Sequence, residues 1–598
     1  MMCADASRRD AVRTPNRSTR LHSNRVPSHA TMPHGRRCHT VQGYMMRNLF
    51  VVLLAVTLAA CSTPDQPAPQ AAVAMPDSYS AEVASAILKQ GGNAVDAAIA
   101  TAFSLAVTLP EAGNIGGGGF MLVHMNGASE FIDYRETAPL AAHRDMYLDE
   151  NGDVIQLAPL VGHGAVGVPG TVAGMWLAHQ RHGSLPWDAL LQPAIKLARD
   201  GFVVHEQLAE NARETAEWYR PILDFEANFG TLDAGEVFVQ PDLARTLERL
   251  ASEGPTDFYS GETADLIVAE MERGKGLITH EDLKRYRAVL RKPLVAEWRD
   301  RKVVSAPPPS SGGFAVIQLL KIKDYLEHEF QNVPHNSPQY VHLVAEIEKR
   351  VFADRAEYLG DPDYVDVPMQ ELLSETYLQR RAREINPTEI STLDAAAPGL
   401  ESPDTTHFSI LDRHGNAVSN TYTLNMSFGS GVVVEGAGFL LNDEMDDFSA
   451  KPGVMNAFGV VGNTANEIQP GKRMLSSMSP TLILHDGKVE MVVGTPGGST
   501  IFTTVFQVIT NMYDFNMTAA QAAGASRFHH QLLPPDLITY SPGVPLPAET
   551  ISGVGDKGYV AKPHSWPFGD VQIIKRQGDQ LDVASDPRKR GEARVVDY

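Results

Sequence analysis

The chain has 598 residues, 43% of them apolar, which is ample material for a core and excludes a compositionally disordered protein. Its 51 Lys and Arg against 72 Asp and Glu give a formal charge of −21, which argues against a nucleic-acid partner, because phosphate binding needs a basic face. The three cysteines, Cys3, Cys38 and Cys61, sit at the N-terminal end and exclude a disulfide scaffold or a multi-cysteine zinc centre.

In chain order, residues 1–44 are rich in Arg, His, Ser and Pro without apolar periodicity, and read as a disordered or mis-assigned leader. Met45 or Met46 would then be the true start. Met45-Met46-Arg47-Asn48, followed by the uncharged run Leu49–Ala60, has the basic and apolar regions of an export signal over residues 45–60. Twelve residues are too few to cross a bilayer as a helix. Leu58-Ala59-Ala60-Cys61 resembles a bacterial lipobox, in which the cysteine becomes the lipidated N-terminus; the alternative is a plain secretory signal with Cys61 incidental. With Ser62 after the cysteine, the resemblance implies a lipid anchor at the periplasmic face of the outer membrane, or the periplasm if Cys61 is not lipidated. Taking away the net +7 of residues 1–61 changes the chain's −21 to −28. Residues 61–78 read as a tether.

Beyond the tether, Val83, Ala86 and Ile87 have helical spacing from Glu82, and Gly91-Gly92-Asn93 stops that helix. A second, almost wholly apolar helix runs from Asp96 to Leu109 and is closed by Pro110. Gly116–Gly119 reads as a flexible turn, followed by a hairpin, Phe120–His124 and Glu130–Tyr134, around Asn126-Gly127. Residues 170–400 read mainly as helices, with the Pro307–Gly313 run as a rigid loop. The last third changes to strands: Thr405–Leu411 with Ala417–Leu424, then Thr481–His485 with Lys488–Val493 around Asp486-Gly487. After Pro496-Gly497-Gly498, Ser499 is a plausible N-cap for an apolar helix carrying Ile501, Phe502, Val505, Phe506, Ile509 and Met512. Helices on one side and antiparallel strands on the other point to an α+β layered architecture.

Several common chemistries lack support. Gly162–Gly167 fits GxGxxG, but Pro169 interrupts the helix a dinucleotide site needs. The His-Glu pairs at 205, 280 and 328 lack the second histidine of HExxH, and no GxSxG elbow occurs. His529-His530 are neighbours whose side chains diverge, which favours a core or surface role over metal binding.

The remaining motifs fall together. Asp404-Thr405-Thr406-His407, Thr423-Leu424-Asn425, Asn442–Phe448, Pro470–Arg473, Leu475–Thr481 and Pro496–Ser499 resemble γ-glutamyltranspeptidases, as do Gly91–Ala98, Gly116–Gly119, Asp133–Glu136, Ala165–Gly174 and Pro307–Gly313. The resemblance covers about residues 75 to 598 in the family's order. It implies the four-layer αββα sandwich of the N-terminal nucleophile hydrolases, formed jointly by a large subunit, 79–404, and a small catalytic subunit, 405–598. The precursor would cut itself between Asp404 and Thr405, exposing Thr405 as nucleophile.

The residue chemistry fits that reading. A Thr hydroxyl needs a base beside it, and cleavage creates an α-amine with an unperturbed pKa of about 7.7–8.0 on the same residue. Thr406 is the adjacent competitor, but only the first residue would carry both groups. By the resemblance, Thr423 hydrogen-bonds the nucleophile and Gly497 with Gly498 form the oxyanion hole. Arg135, Ser476 and Ser477 would hold a substrate α-carboxylate, while Asn425, Glu444 and Asp447 would hold its α-ammonium. Two positions depart from the family: Met474 stands where Pro is usual, and Phe458 stands where some members have the Tyr of a lid.

The implied activity is transfer of a γ-glutamyl group from glutathione or related amides to water or an amino-acid or peptide acceptor, with no metal or organic cofactor. Two rivals remain: a glutaryl-cephalosporin acylase of the same superfamily, and an unprocessed ligand-binding lipoprotein.

Overall fold

The computed structural model describes residues 70–598 apart from 221–222, 231, 393–404, 455, 457–460 and 567–568. The predicted leader, export signal, Cys61, Asp404 and Phe458 lie outside the described residues.

A seven-stranded and a six-stranded sheet carry the fold. In chain order their strands are β1 (Ala71–Met75), β2 (Gly118–Met125), β3 (Ala128–Asp133), β4 (Val289–Arg291), β5 (Leu294–Trp298) and β6 (Arg301–Ser305). The C-terminal third adds β7 (Thr405–Leu411), β8 (Ala417–Thr423), β9 (Thr481–His485), β10 (Lys488–Gly494), β11 (Gln572–Gln577), β12 (Gln580–Ser585) and β13 (Glu592–Val596). The first sheet has the order β13-β1-β7-β8-β2-β3-β4, and the second β12-β11-β10-β9-β6-β5, with neighbours antiparallel throughout.

The period-two alternation of the strands builds three cores and so four layers. In the first sheet Met121, Val123, Phe408, Ile410 and Val418 face a helical layer, whereas Phe120, Leu122, Leu411 and Ala417 face the second sheet. In the second sheet Val304, Leu482, Leu484 and Val492 face inward to meet them, and Val303, Ile483, Met491 and Val493 face the other helices. The outer layer on the first sheet includes α1 (Ser78–Lys89) and α2 (Ala94–Thr108). The layer on the second includes α3 (Gly312–Tyr325), α4 (Pro338–Tyr358) and α5 (Thr500–Tyr513). This is the predicted αββα sandwich.

Local signals account for much of it. Asn93 caps α2 in a reciprocal box with Asp96, and every residue of that helix is buried. The turns Asn126-Gly127 and Asp486-Gly487 take positive φ at both residues, as two-residue hairpins require.

Four expectations need correction. Ala71–Met75, inside the predicted tether, is a fully buried strand between β13 and β7, and α1 begins at Ser78 behind the N-cap Asp77. Residues 289–305, inside the predicted helical stretch, form β4, β5 and β6 and extend both sheets. Gly116–Gly119 is no flexible turn: it is buried and enters β2, where a Cβ on Gly117 would fall 2.1 Å from the Thr423 carbonyl oxygen. Ser499 precedes α5 but makes no capping bond.

Candidate active site

The site lies where β7 begins and β8 ends. Thr405 pairs with Thr423 across the two strands, in register. Alternation sends Thr405 to the same face as His407 and Ser409, toward the second sheet. Thr406 points with Phe408 and Ile410 to the opposite face, which removes it as a competitor. Thr423 is tied at both ends, its Oγ1 accepting from the Asn425 backbone N–H at 2.8 Å and its carbonyl from Asn114 Nδ2 at 2.9 Å.

Around Thr405 one small cavity is lined by Arg135, Arg355, Thr423, Asn425, Glu444, Asp447, Ser476, Ser477, Gly498 and Ser499, with Met478 and Ile501 closing it. Nine residues singled out from sequence therefore converge from segments up to hundreds of positions apart. Gly497 sits next to Gly498 in the turn that leads into α5.

Arg135 follows β3 and is fully buried, and each of its three side-chain nitrogens has a hydrogen-bond partner. Nη1 donates to Glu444 Oε1 and Nη2 to Asp447 Oδ2, while Nε and Nη2 reach the carbonyls of Met474 and Leu475, each at 3.3 Å. Glu136 lies 3.6 Å from Nη1. The cation meant for a carboxylate and the acids meant for an ammonium thus hold one another, forming a strip of alternating charge rather than two separate pockets. Burial opposes the charge of Arg135, but Glu444, Asp447 and Glu136 outweigh it and raise its pKa. Burial lifts Glu444 to about 7 and raises Asp447, with Arg135 pulling both back. Glu136 goes well above the usual carboxylate range, through burial and the neighbouring Glu444.

The acids stand on a short 3-10 turn, Glu444–Asp447, held in place by Asn442. Asn442 Oδ1 accepts from the N–H groups of Glu444 and Gly167, and Nδ2 donates to the Gly116 and Gly167 carbonyls. Asn425, at φ 82°, donates from Nδ2 to the Asp443 carbonyl and lines the cavity.

The serine pair is fixed by the Pro307–Gly313 loop. The Ser476 N–H donates to the Pro309 carbonyl at 2.9 Å, and the Ser311 N–H and hydroxyl donate back to the Ser476 carbonyl, each at 2.7 Å. Arg355, on α4, was not legible from sequence. Its Nε donates to Ser311 Oγ at 2.9 Å and Nη2 to Ser477 Oγ at 3.3 Å, placing a second cation beside the serines. Met474 is fully buried with Tyr147, Met445, Phe448 and Ile468, so an apolar side chain fills this departure.

The turn Pro496-Gly497-Gly498-Ser499 connects β10 to α5, with φ of 132° at Gly497 and 55° at Gly498. These are backbone states open to glycine, which carries no Cβ over the turn's amides.

A family model described as "Gamma-glutamyltranspeptidase" matches residues 80–596. The chain belongs to the γ-glutamyltranspeptidase family. A glutathione hydrolase proenzyme of Pseudomonas aeruginosa is 57% identical over 525 residues, covering 88% of this chain and 94% of that one. The solved γ-glutamyltranspeptidase of Pseudomonas nitroreducens is 53% identical, with a TM-score of 0.53 over 53% of this chain and 95% of its own. A cephalosporin acylase of Bacillus halodurans shares the fold at 27% identity, with a TM-score of 0.77 over 89% of this chain and 98% of its own. The fold of this transpeptidase-family chain is therefore shared, over most of its length, with a protein named for a different activity.

Proposed function

We propose that this chain is a self-processing γ-glutamyltranspeptidase and glutathione hydrolase. The observation that carries the reading is the single cavity shared by Thr405, Arg135, Asn425, Glu444, Asp447, Ser476, Ser477 and Gly498. Cleavage between Asp404 and Thr405 divides the precursor into a large and a small subunit, the latter being residues 405–598. The freed α-amine of Thr405 takes the proton from its own hydroxyl as Oγ attacks the γ-carbonyl carbon of the donor. The developing oxyanion rests against the amides of the Gly497-Gly498 turn, worth about 3 kcal/mol of barrier per donor. The protonated amine then gives its proton to the leaving nitrogen, the C–N bond breaks, and a γ-glutamyl ester of Thr405 remains. Water, or the neutral amine of an amino acid or peptide, attacks that ester with the α-amine again as base; the acyl C–Oγ bond breaks, the amine returns the proton to Thr405 Oγ, and glutamate or a new γ-glutamyl amide leaves. Arg135 with Ser476, Ser477 and Arg355 meets the α-carboxylate, and Glu444, Asp447 and Asn425 meet the α-ammonium.

The acidic half of the strip separates this reading from the acylase. A glutaryl amide lacks the ammonium and would leave Glu444 and Asp447 without a ligand charge. Comparison of γ-glutamyl and glutaryl anilides tests this, and faster glutaryl turnover would reverse the assignment. Denaturing electrophoresis with N-terminal sequencing tests processing. The wild type should give two chains, the smaller beginning Thr-Thr-His-Phe, and Thr405→Ala should remain whole; an intact, active wild type refutes the mechanism, and an intact, inactive one leaves the ligand-binding lipoprotein as the rival.

The same proposal places the enzyme outside the inner membrane, anchored through lipidated Cys61 to the outer membrane's periplasmic face. Support comes from Leu58-Ala59-Ala60-Cys61 behind an apolar run. Palmitate labelling that persists in Cys61→Ala would sink it.

A further inference from the structure

Ser499 stands where an N-cap would accept from the first amides of α5, yet its hydroxyl turns away. Its Oγ donates to Gln531 Oε1 at 2.6 Å and lies 3.3 Å from His529 Nε2. His529 Nε2 is 2.9 Å from the same Gln531 oxygen, and its Nδ1 is 3.0 Å from Thr503 Oγ1. Burial pushes the His529 imidazole down to about 3, so the ring is neutral at working pH and carries one N–H. Gln531 Oε1 can only accept, which assigns the proton to Nε2 and leaves Nδ1 an acceptor; the Thr503 hydroxyl, 3.0 Å from both Nδ1 and the Thr500 carbonyl, has one proton to share between them.

The ring cannot drift. Gln507 on α5 clamps the adjoining strand, donating from Nε2 to the Phe528 carbonyl at 2.7 Å and accepting from the Phe528 N–H at 3.2 Å. Phe352 meets the imidazole edge to face at 5.5 Å. On the turn's other flank, Thr500 N–H and Oγ1 donate to the Gly497 carbonyl at 2.9 and 2.7 Å. Between these supports lie two glycines whose backbones have little preference of their own. Gly498 and Ser499 line the cavity, whereas His529 does not.

We propose that His529 is a positioning residue: through Ser499 and Gln531 it fixes the direction of the amides in the Gly497–Ser499 turn, so that they meet the tetrahedral intermediate rather than the ground state. This rests on the reading of that turn as the oxyanion site. A preorganised donor costs no reorientation during reaction, and a donor free to swing loses part of its effect.

The test uses processed enzyme and the variants Ser499→Ala, Thr503→Val, His529→Ala and His529→Gln. The first two change little volume. Ser499→Ala and Thr503→Val should each lower kcat by roughly tenfold while the donor KM stays within about twofold, a fraction of the ~10²–10³ lost when such a donor is removed outright. A boronic-acid analogue of glutamate, which forms a tetrahedral adduct with the Thr405 hydroxyl, should lose affinity by the same factor as kcat. Binding of glutamate itself should hold. His529→Gln, which restores an N–H near the Nε2 position, should recover part of the loss in His529→Ala. Unchanged boronate affinity in Ser499→Ala, or equal weakening of boronate and glutamate, overturns the proposal. A wild type without γ-glutamyl turnover would instead defeat the reading of the reaction.

Discussion

Replacing Arg135 by Gln removes the one cation that Glu444, Asp447 and Glu136 share. The guanidinium is fully buried, so water cannot take its place at once. Breaking a buried ion pair by removing one partner costs about 3–5 kcal/mol. The structure adds a sign to that figure. Glu444 is already lifted to about 7 by burial with Arg135 present, and without it the carboxyl rises further. Its folded pKa, above the unfolded value of about 4.3 even in the wild type, then lies higher still, so over the interval between the two folded values the variant takes up protons as pH falls while the wild type does not. The deficit should therefore be largest near pH 8, shrink toward about pH 7 by up to ~1.4 kcal/mol per pH unit for each carboxyl that titrates, and stay at the smaller value down to pH 5.5, where wild-type Glu444 is protonated too. Urea unfolding of wild type and Arg135→Gln at both pH values measures it. Arg135→Gln combined with Glu444→Gln should be more stable than Arg135→Gln alone at pH 8, because the stranded charge is gone. An equal deficit at both pH values, or losses that simply add in the double variant, would refute the reasoning.

Three further outcomes are expected. Arg355→Met removes the charged donor to Ser477 and should raise the donor KM roughly tenfold with kcat little changed, since a hydrogen bond to a charged group is worth ~1.5–3 kcal/mol; a kcat effect alone would place Arg355 elsewhere in the cycle. Gly497→Ala puts a Cβ 2.5 Å from Thr500 Oγ1 at a φ of 132°, and steady-state kinetics should show kcat down by about 10²–10³ with the Thr405 nucleophile intact. For pH, the proposed mechanism requires the Thr405 amine neutral and Glu444 ionised, and both conditions fail as pH falls below about 7–8. The acid limb of kcat/KM should thus carry more than one proton in the wild type and approach one in Glu444→Gln; identical limbs would remove Glu444 from ammonium recognition.

Legibility from sequence followed the range of the forces involved. The hairpins at 126–127 and 486–487 were readable because positive φ selects Asn, Asp and Gly locally. The hairpin β5–β6 was hidden because its turn, Arg299-Asp300, sets a positive φ of 56° on an arginine, where no turn residue announces it. Ala71–Met75 was hidden by its small side chains, whose strand character comes only from pairing with β13 and β7. Thr405, Glu444 and the serine pair could be found because each sits in a run of matching motif residues. Arg355 lies within the mostly buried helix α4, and only the tertiary approach of Ser311 and Ser477 gives it a role. Ser499 looked like a cap because sequence shows its position but not the competing acceptor on Gln531.

The strand order carries a consequence for the lifetime of the processed enzyme. Of the strands preceding Thr405, β1 lies between β13 and β7, β2 beside β8 and β6 beside β9. If the chain is cut before Thr405 as proposed, these seams become ladders inside both sheets, and the subunits cannot part without breaking them. Dissociation then requires unfolding, and recovery becomes a second-order event between two strangers rather than the closing of one chain. Scission thus acts as a ratchet: the fold is reached as a single chain and afterwards persists by the height of its unfolding barrier. Tagged and untagged processed enzyme, mixed, should exchange subunits no faster than either unfolds.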